Sequence, residues 1–392
     1  MEKPSKILDA LIIGHNANLL RALPRLLARA GFQVDAITTS TQFKPAVPVR
    51  NLKVVCDKNE LLAQAAVQVT RGYDLVVIGD DRALRDIVQS DLSDDIKLKL
   101  LPVCGTENFA HIGTKIGLSQ LLVENGITTP DFWIVSDHDA LVSFLELTPH
   151  TVMIKIDMSG GGAGVFKFEP GNNIDVLLQN QITFPVLVQR YIEGDLIDLS
   201  GVYQNGTLVH FSYSSLEEVL SNPFGVSSVR TYTQLGCVKE SVFNDLRKLG
   251  RALGAHGFVN IACLRSAEDG NYYFVEADMR PTVWVEYSSY LGDDPARAIQ
   301  DYFDVATELS FPQPLKKNYP LHMTIPYALR LSAIEVMTNR HQVWRFCEAF
   351  SKRDMIRHFG SGLMQSVKRT LAAYIKPRVS VRTWQRLRLR WK

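Results

Sequence analysis

Lys155 stands inside an apolar run, Thr151-Val152-Met153-Ile154-Lys155-Ile156, and Asp157-Met158 lead from it into Ser159-Gly160-Gly161-Gly162-Ala163-Gly164. An unpaired ammonium is costly to bury, so a lysine in such a strand calls for an anion opposite it. Glycines let consecutive backbone N–H groups close on phosphate oxygens with no Cβ in the way. Here the lysine precedes the glycines, so the segment is not a Walker A loop. A phosphate cradle is one reading; a hairpin with a flexible tip and a lysine reaching to the surface is the other. A second constellation is Tyr272-Tyr273-Phe274-Val275-Glu276-Ala277-Asp278-Met279-Arg280-Pro281. In an extended chain Glu276, Asp278 and Arg280 share one face, while Val275, Ala277 and Met279 face the core. Two carboxylates suit a hard divalent cation, and a guanidinium fork suits phosphate or a developing acyl phosphate. A solvated strand face with an internal salt bridge is the competing reading. In Val186-Leu187-Val188-Gln189-Arg190-Tyr191-Ile192-Glu193-Gly194-Asp195 an apolar strand runs into a short polar turn. Such a turn suits a domain hinge, or an adenine edge with Tyr191 and Ile192 as apolar walls.

These residues need elements to position them. Over the first hundred residues short apolar runs at 7–13, 32–37, 52–56 and 73–78 alternate with helical spacing at 19–30 and 58–69. That alternation predicts a parallel sheet covered on both faces. Its first turn, Gly14-His15-Asn16-Ala17-Asn18-Leu19, lacks the second and third glycines of a dinucleotide fingerprint, which disfavours a nicotinamide cofactor. Binding is expected at the carboxyl ends of these strands, near Gly14 or residues 79–81. A helix is predicted over 109–125, stopped by Gly126, with His111 four residues before Lys115 on its face. Strands then recur at 132–135, 152–157, 165–169, 186–191, 199–203, 208–214, 259–264 and 272–276, with turns such as Asn205-Gly206 and Asp269-Gly270. Largely antiparallel sheets follow. Residues 213–237 read as polar and turn-rich, on the substrate side, with Glu217-Glu218 at a solvated helix start. No HxxxH pair or His/Cys cluster supports zinc, and no Gly-x-Ser-x-Gly elbow supports a serine hydrolase.

In order along the chain stand Lys115, the turn Gly126-Ile127-Thr128-Thr129-Pro130, the strand lysine with its glycine loop, the hinge and the Glu-x-Asp-x-Arg strand. Together they resemble the ATP-grasp superfamily over residues 14–303. The carboxylate–amine ligase branch is most similar, and biotin carboxylase and carbamoyl-phosphate synthetase subunits more distantly so. The resemblance implies an α/β pre-ATP-grasp, Rossmann-like domain with a parallel sheet (residues 1–107). Two α+β lobes with ATP between them would follow, at residues 108–188 and 189–313, and then a helical extension with a basic amphipathic tail (residues 314–392).

Carried over residue by residue, the resemblance implies that Lys115 and Lys155 hold the α- and β-phosphates of ATP. Ser159, Gly160, Gly161, Gly162, Ala163 and Gly164 match the loop that closes over the β- and γ-phosphates. Gln189, Arg190, Tyr191 and Ile192 match the adenine hinge, with Gln189 where Glu is usual. Glu276 and Asp278 match the magnesium pair, with Asp in place of Asn and Mn²⁺ as an alternative ion. Arg280 matches the arginine after that pair, and Arg230 lies where a basic residue often approaches the γ-phosphate. Two positions depart from the pattern. Leu196 stands where a ribose-binding Glu is usual, leaving Asp195 or Asp198 to serve after a shift of register. Ala262 stands where the preceding strand normally offers an acid, leaving Asn260, two residues earlier on the same face, to supply an oxygen. The implied activity is an ADP-forming ligase that turns a substrate carboxylate into an acyl phosphate and couples it to an amine, with Arg280, Lys155 and Arg230 as its catalytic residues. The alternative, suggested by Leu196, Ala262 and the tail, is an ATP-binding protein that does not ligate, a sensor or scaffold. Carboxyphosphate chemistry from bicarbonate ranks lower, because no carrier or glutaminase region is visible.

Composition bounds the setting. The chain of 392 residues, 46% apolar and 21% charged, is long enough for two or three domains. No apolar run reaches the roughly eighteen residues of a spanning helix. Cys56, Cys104, Cys237, Cys263 and Cys347 are scattered without a CxxC pair, so neither a disulfide framework nor structural zinc is expected, and a cytoplasmic location is. The net charge of +2 hides an asymmetry: residues 352–392 hold twelve Lys/Arg and one Asp. The tail Arg382-Thr383-Trp384-Gln385-Arg386-Leu387-Arg388-Leu389-Arg390-Trp391-Lys392 suits an anionic membrane surface, on the inner face, or an acidic partner protein. A solvated end packing on the body is an equal reading, and nucleic acid ranks below both, since no reading module accompanies the charge. The other partners expected are a small-molecule carboxylate and amine, and a homodimer is compatible with the sequence.

Overall fold

The computed structural model describes residues 7–220, 227–305, 309–313, 319, 321–326 and 378–380. The predicted apolar runs form the first layer. β1 (Leu8–Gly14), β2 (Phe32–Thr38), β3 (Asn51–Val54) and β4 (Leu75–Ile78) make a parallel sheet in the order β3-β2-β1-β4. β1 and β2 are buried almost throughout, as a parallel sheet with helices on both faces requires. The helix predicted over 19–30 is two, Ala17–Leu20 and Leu23–Arg29. Pro24 divides them: it has no N–H to continue a helix, but fits the first turn of a new one.

The helix predicted over 109–125 divides as well. Thr106–His111 is a 3₁₀ turn, Gly113 reverses the chain at φ 72°, and a new helix, Lys115–Glu124, starts behind Thr114. The Thr114 hydroxyl caps it by accepting the Gly117 N–H at 3.2 Å. His111 and Lys115 therefore share no helix face. His111 is buried, and its ring Nε2 lies 2.9 Å from the Leu253 carbonyl oxygen.

Two antiparallel sheets follow. The smaller comprises β5 (Phe132–Val135), β6 (Val152–Ile156), β7 (Val165–Phe168) and β8 (Val186–Arg190), ordered β5-β8-β6-β7. The larger holds β9 (Gly194–Asp198), β10 (Gly201–Gln204), β11 (Thr207–Phe211), β12 (Tyr213–Leu220), β13 (Ser227–Thr233), β14 (Gly257–Ser266), β15 (Tyr272–Asp278), β16 (His322–Pro326) and β17 (Arg378–Ser380). Its order is β11-β10-β14-β9-β12-β13-β16, with β15 beside β14 and β17 beside β12. Residues 213–237 are thus mostly two paired strands. Glu217 and Glu218 lie in β12, not at a helix start, and register shifts around Glu218 break the alternation that would have announced the strand. Two segments of the region assigned to a helical extension, β16 and β17, are strands of the large sheet. Residues 327–350, 364–375 and the basic tail 382–392 lie outside the described residues. No described helix is long and apolar enough to cross a membrane.

Packing divides the molecule differently from chain order. One core joins the first sheet to the large one: Leu11, Ile13 and Ile78 belong to the same cluster as Phe211, Leu246 and Ile261. Leu118 and Leu122 of the helix Lys115–Glu124 belong to it too. The small sheet has a core of its own, built from Val135, Leu141, Leu145, Val152, Ile154 and Val188. The lobe carrying Lys155 is therefore a separately cored body set against a larger one.

Candidate active site

Lys155 lies on β6, between Val165 of β7 and Leu187 of β8. Burial pushes its ammonium down to about 8, the carboxylate of Glu276 opposes that shift, and the like charge of Lys115 adds to it. The start of the glycine loop after β6 is tied to the helix Lys115–Glu124. Asp157 Oδ1 accepts the N–H groups of Lys115 at 2.7 Å and Ile116 at 2.8 Å, filling the first-turn donors of that helix. Lys115 Nζ donates to the carbonyl oxygens of Asp157 at 3.1 Å and Ser159 at 2.6 Å. Ser159 Oγ donates to the Ile156 carbonyl at 2.9 Å. Gly164 leaves no alternative, since a Cβ there would sit 2.3 Å from Ser159 Oγ. Gly160 has open space instead, and Gly161 turns with φ 63°.

Glu276 and Asp278 project from β15, two residues apart on one face. Burial raises the Asp278 carboxyl well above the ordinary range, the neighbouring Glu276 adds to the rise, and Arg280 works against it. Arg280 Nη2 donates to Asp278 Oδ2 at 2.7 Å, and Nε to Asp81 Oδ1 at 2.6 Å. Asp81 opens the helix Asp81–Val88 after β4, so the layer of the first sheet reaches the acidic strand. A cavity of about 70 Å³ is lined by Lys115, Ser159, Gly160, Gly161, Glu276, Asp278 and Arg280, together with Asp81 and Arg85. Three motifs far apart in sequence thus share one wall. A much larger cavity, about 1050 Å³, opens at the carboxyl ends of the first sheet and shares Asp81, Arg85, Gly160 and Gly161 with it.

Whether a divalent cation fits is decided by the donors. Glu276 and Asp278 crowd two carboxylates together, which a cation relieves. Asn260 lies opposite Asp278 in the ladder, and its Nδ2 is 3.4 Å from Asp278 Oδ2. Ala262 stands opposite Glu276 and adds no ligand. Among the described residues no group of three or more His, Cys, Asp or Glu side chains could hold a metal ion. Asn260 turns its amide nitrogen to Asp278 and its oxygen to Ser200, so the amide would have to flip to add an oxygen. Two carboxylates, the rest supplied by phosphate and water, suit Mg²⁺, which keeps few protein ligands.

Arg230 lies away from this wall. It is buried, its guanidinium carbon 4.8 Å from the centre of the Trp284 ring, with Nε donating to Ser227 Oγ at 2.9 Å and Nη1 paired to Asp198 at 3.0 Å. From Asp198 a chain of polar groups runs back to the acids. Ser200 Oγ lies 2.6 Å from Asp198 Oδ1 and 3.1 Å from Asn260 Oδ1, and Asn260 meets Asp278. Asp195 faces Arg265 across the β9–β14 ladder, paired at 2.5 Å. In the hinge, Gln189 is buried at 1% exposure, its Nε2 3.3 Å from Ser119 Oγ and its Oε1 without a hydrogen-bond partner among the described residues. The Arg190 and Tyr191 N–H groups donate to the Asp131 and Thr151 carbonyls at 2.8 and 3.0 Å. Lys167 Nζ lies 3.6 Å over the Tyr191 ring, and Ile192 is half-buried beside it. None of these hinge residues lines either cavity. Sequence reasoning missed Arg85 and the capping role of Asp157; the second was signalled by an acid directly after the lysine strand.

No family model matches the chain, and no curated protein does. Solved structures do. The N5-carboxyaminoimidazole synthetase of Staphylococcus aureus is 13% identical at a TM-score of 0.61, covering 87% of this chain and 89% of that one. An L-amino acid ligase from Bacillus licheniformis is 15% identical at 0.59, with 86% of each chain covered. Biotin carboxylase from Campylobacter jejuni, solved as a beta-gamma-ATP complex, is 15% identical at 0.59, covering 84% of this chain and 77% of that one. By arrangement of its lobes and by these likenesses, the chain has the ATP-grasp fold.

Proposed function

We propose that the protein is an ADP-forming ligase, which phosphorylates a substrate carboxylate from ATP and passes the acyl group to an amine. The observation carrying this reading is the shared wall on which Lys115, the glycine loop, Glu276, Asp278 and Arg280 meet. Phosphoryl transfer asks little covalent chemistry of a protein; it asks for positioning and for charge against the phosphoryl oxygens. Lys155 and Lys115 supply fixed cations from two elements. Lys115 exchanges its carbonyl partners for phosphate oxygens, and in doing so releases the loop to close. Glu276, Asp278 and, once flipped, the Asn260 amide would hold Mg²⁺ or Mn²⁺, which when bound neutralises phosphate charge. Arg280, steadied by Asp81, faces the acyl oxygens, and the closed loop keeps water from the acyl phosphate. Gln189, Arg190, Tyr191 and Ile192 would border the adenine. Asp195 would meet the ribose by exchanging its Arg265 partner, and Arg230 acts as a positioning residue through Asp198, Ser200 and Asn260.

The second reading, a nucleotide-binding protein that does not ligate, is favoured by Ala262 opposite Glu276. A screen of carboxylate–amine pairs for ADP and phosphate release, with Mg²⁺ and ATP, separates the two. A ligase releases both products only when its own pair is present, and Lys155→Ala lowers that turnover about a hundredfold or more, the scale of losing one transition-state donor. Tight ATP binding with no release from any pair would support the second reading.

A further inference from the structure

The large crevice of the first domain carries charge that the ligase machinery does not use. We propose that it binds the acceptor substrate, and that this substrate is a polyanionic small molecule, a phosphate ester or a polycarboxylate. The assignment of its role as acceptor rests on the ligase reading; its charge does not.

The crevice has a volume of about 1050 Å³. That is the upper end of small-molecule sites, which run to about 1,000 Å³. Four cations line it: Arg21 behind the first short helix, Lys44 after β2, and Arg82 and Arg85 on the helix Asp81–Val88. Among the described residues no carboxylate pairs with Arg21, Lys44 or Arg85, and Arg82 only reaches Asp86 at 4.0 Å. The two acids of the lining are both occupied. Asp80 Oδ2 accepts the N–H groups of His15 at 2.5 Å and Asn16 at 2.9 Å, while its Oδ1 accepts that of Ala83 at 2.9 Å. Asp81 is held by Arg280 at 2.6 Å. His15 is occupied as well, its ring nitrogens 2.8 Å from Thr39 Oγ1 and 3.1 Å from Asp86 Oδ2.

Two consequences follow. The N–H groups of the turn after β1, where a phosphate would otherwise dock, already hold a carboxylate of the chain itself. Gly14 permits this, because a Cβ there would come 2.7 Å from Asp80 Oδ2. An anion entering the crevice is therefore met by side-chain cations rather than by the turn. With several unpaired cations and no free acid, the concave surface concentrates positive potential and selects more than one negative charge. Guanidinium forks match phosphate and carboxylate oxygens two at a time. The inner end is shared: Arg85, Asp81, Gly160 and Gly161 border both cavities. A ligand anchored by its anionic end at Arg21 and Lys44 extends its reactive end toward the glycine loop.

Calorimetric titration of the full chain tests this with ribose 5-phosphate and O-phosphoserine as phosphate esters and citrate as a polycarboxylate, against ribose, serine and glycerol. At least one charged class binds and its neutral counterparts do not; which class binds identifies the source of the charge. Arg21→Glu and Lys44→Glu each weaken that binding by about tenfold or more, the factor that about 1.4 kcal/mol represents. Arg21→Gln and Lys44→Gln repeat the test without reversing charge, should either reversal disturb folding. Binding of none of the charged probes, equal binding of the neutral ones, or affinity unchanged in all four variants overturns the proposal. A MgATP titration of the same wild-type protein keeps the two readings apart. ATP binding without polyanion binding overturns the crevice assignment, whereas polyanion binding without ATP binding overturns the ligase reading alone.

Discussion

Lys155 is the side chain whose state matters most, because burial holds its ammonium near a pKa of about 8 instead of the ordinary 10.5. A lowered base loses its proton as pH rises through that value, and a neutral amine offers phosphate no charge. The value of kcat/KM for ATP, which reports the free enzyme, is therefore expected to fall above about pH 8, while kcat holds to higher pH because bound phosphate retains the proton. A kcat/KM profile flat from pH 7 to 10 would place Lys155 away from the nucleotide. Much of this chemistry is legible in the sequence, since a lysine in an apolar strand before glycines, and acids two apart on a strand, are local patterns. The partners are not. Arg280 and Asp81 are 199 residues apart, and nothing local to either announces the pair. The resemblance puts Arg230 near the γ-phosphate, but its ion pair with Asp198 and its contact with Trp284 come from the sheet's long-range order, which no local pattern announces.

At the scale of the element, the glycine loop contains glycines of different kinds. Gly164 serves the fold, since its missing Cβ makes room for Ser159. A Cβ added at Gly160 would meet nothing within 4 Å among the described residues, and its backbone is not left-handed, so the described fold does not require a glycine there. If the loop wraps phosphate, Gly160→Ala leaves the melting temperature unchanged and weakens MgATP binding by about tenfold, through lost close approach of the backbone. Unchanged ATP affinity would make the loop a plain hairpin tip. The elements around it were readable in proportion to how cleanly their residues alternate. β5 falls where its apolar run predicts, but β12 is obscured by the register shifts around Glu218, and β9 mixes acids with apolar residues too evenly to stand out. The spacing predicts one helix over 109–125 where the structure has two elements, because a left-handed Gly113 inside an apolar stretch looks the same as a tolerated helical glycine.

At the scale of the molecule, the small sheet is a body with a core of its own. The lobe of β5 to β8 buries Ile154, Val186 and Val188 in a cluster separate from the one joining the first and large sheets. Its ties to the larger body include exchangeable bonds, among them those from Lys115 to the loop carbonyls. A non-hydrolysable ATP analogue with Mg²⁺ is expected to draw the lobe inward, seen as a smaller radius of gyration in solution scattering and slower proteolysis across residues 157–164. An unchanged radius and unchanged cleavage would mean that the lobes do not clamp.

The central claim, that a carboxylate is activated as an acyl phosphate at this wall, is tested most directly by following an oxygen atom. The carboxylate that stimulates ADP release is supplied with both oxygens as ¹⁸O, in the presence of its amine and MgATP, and the released phosphate is weighed by mass spectrometry. Displacement of phosphate from an acyl phosphate carries one substrate oxygen with it, so the account predicts one ¹⁸O in each phosphate released. Phosphate free of ¹⁸O would contradict it, because the γ-phosphoryl group would then have gone to water or to another acceptor.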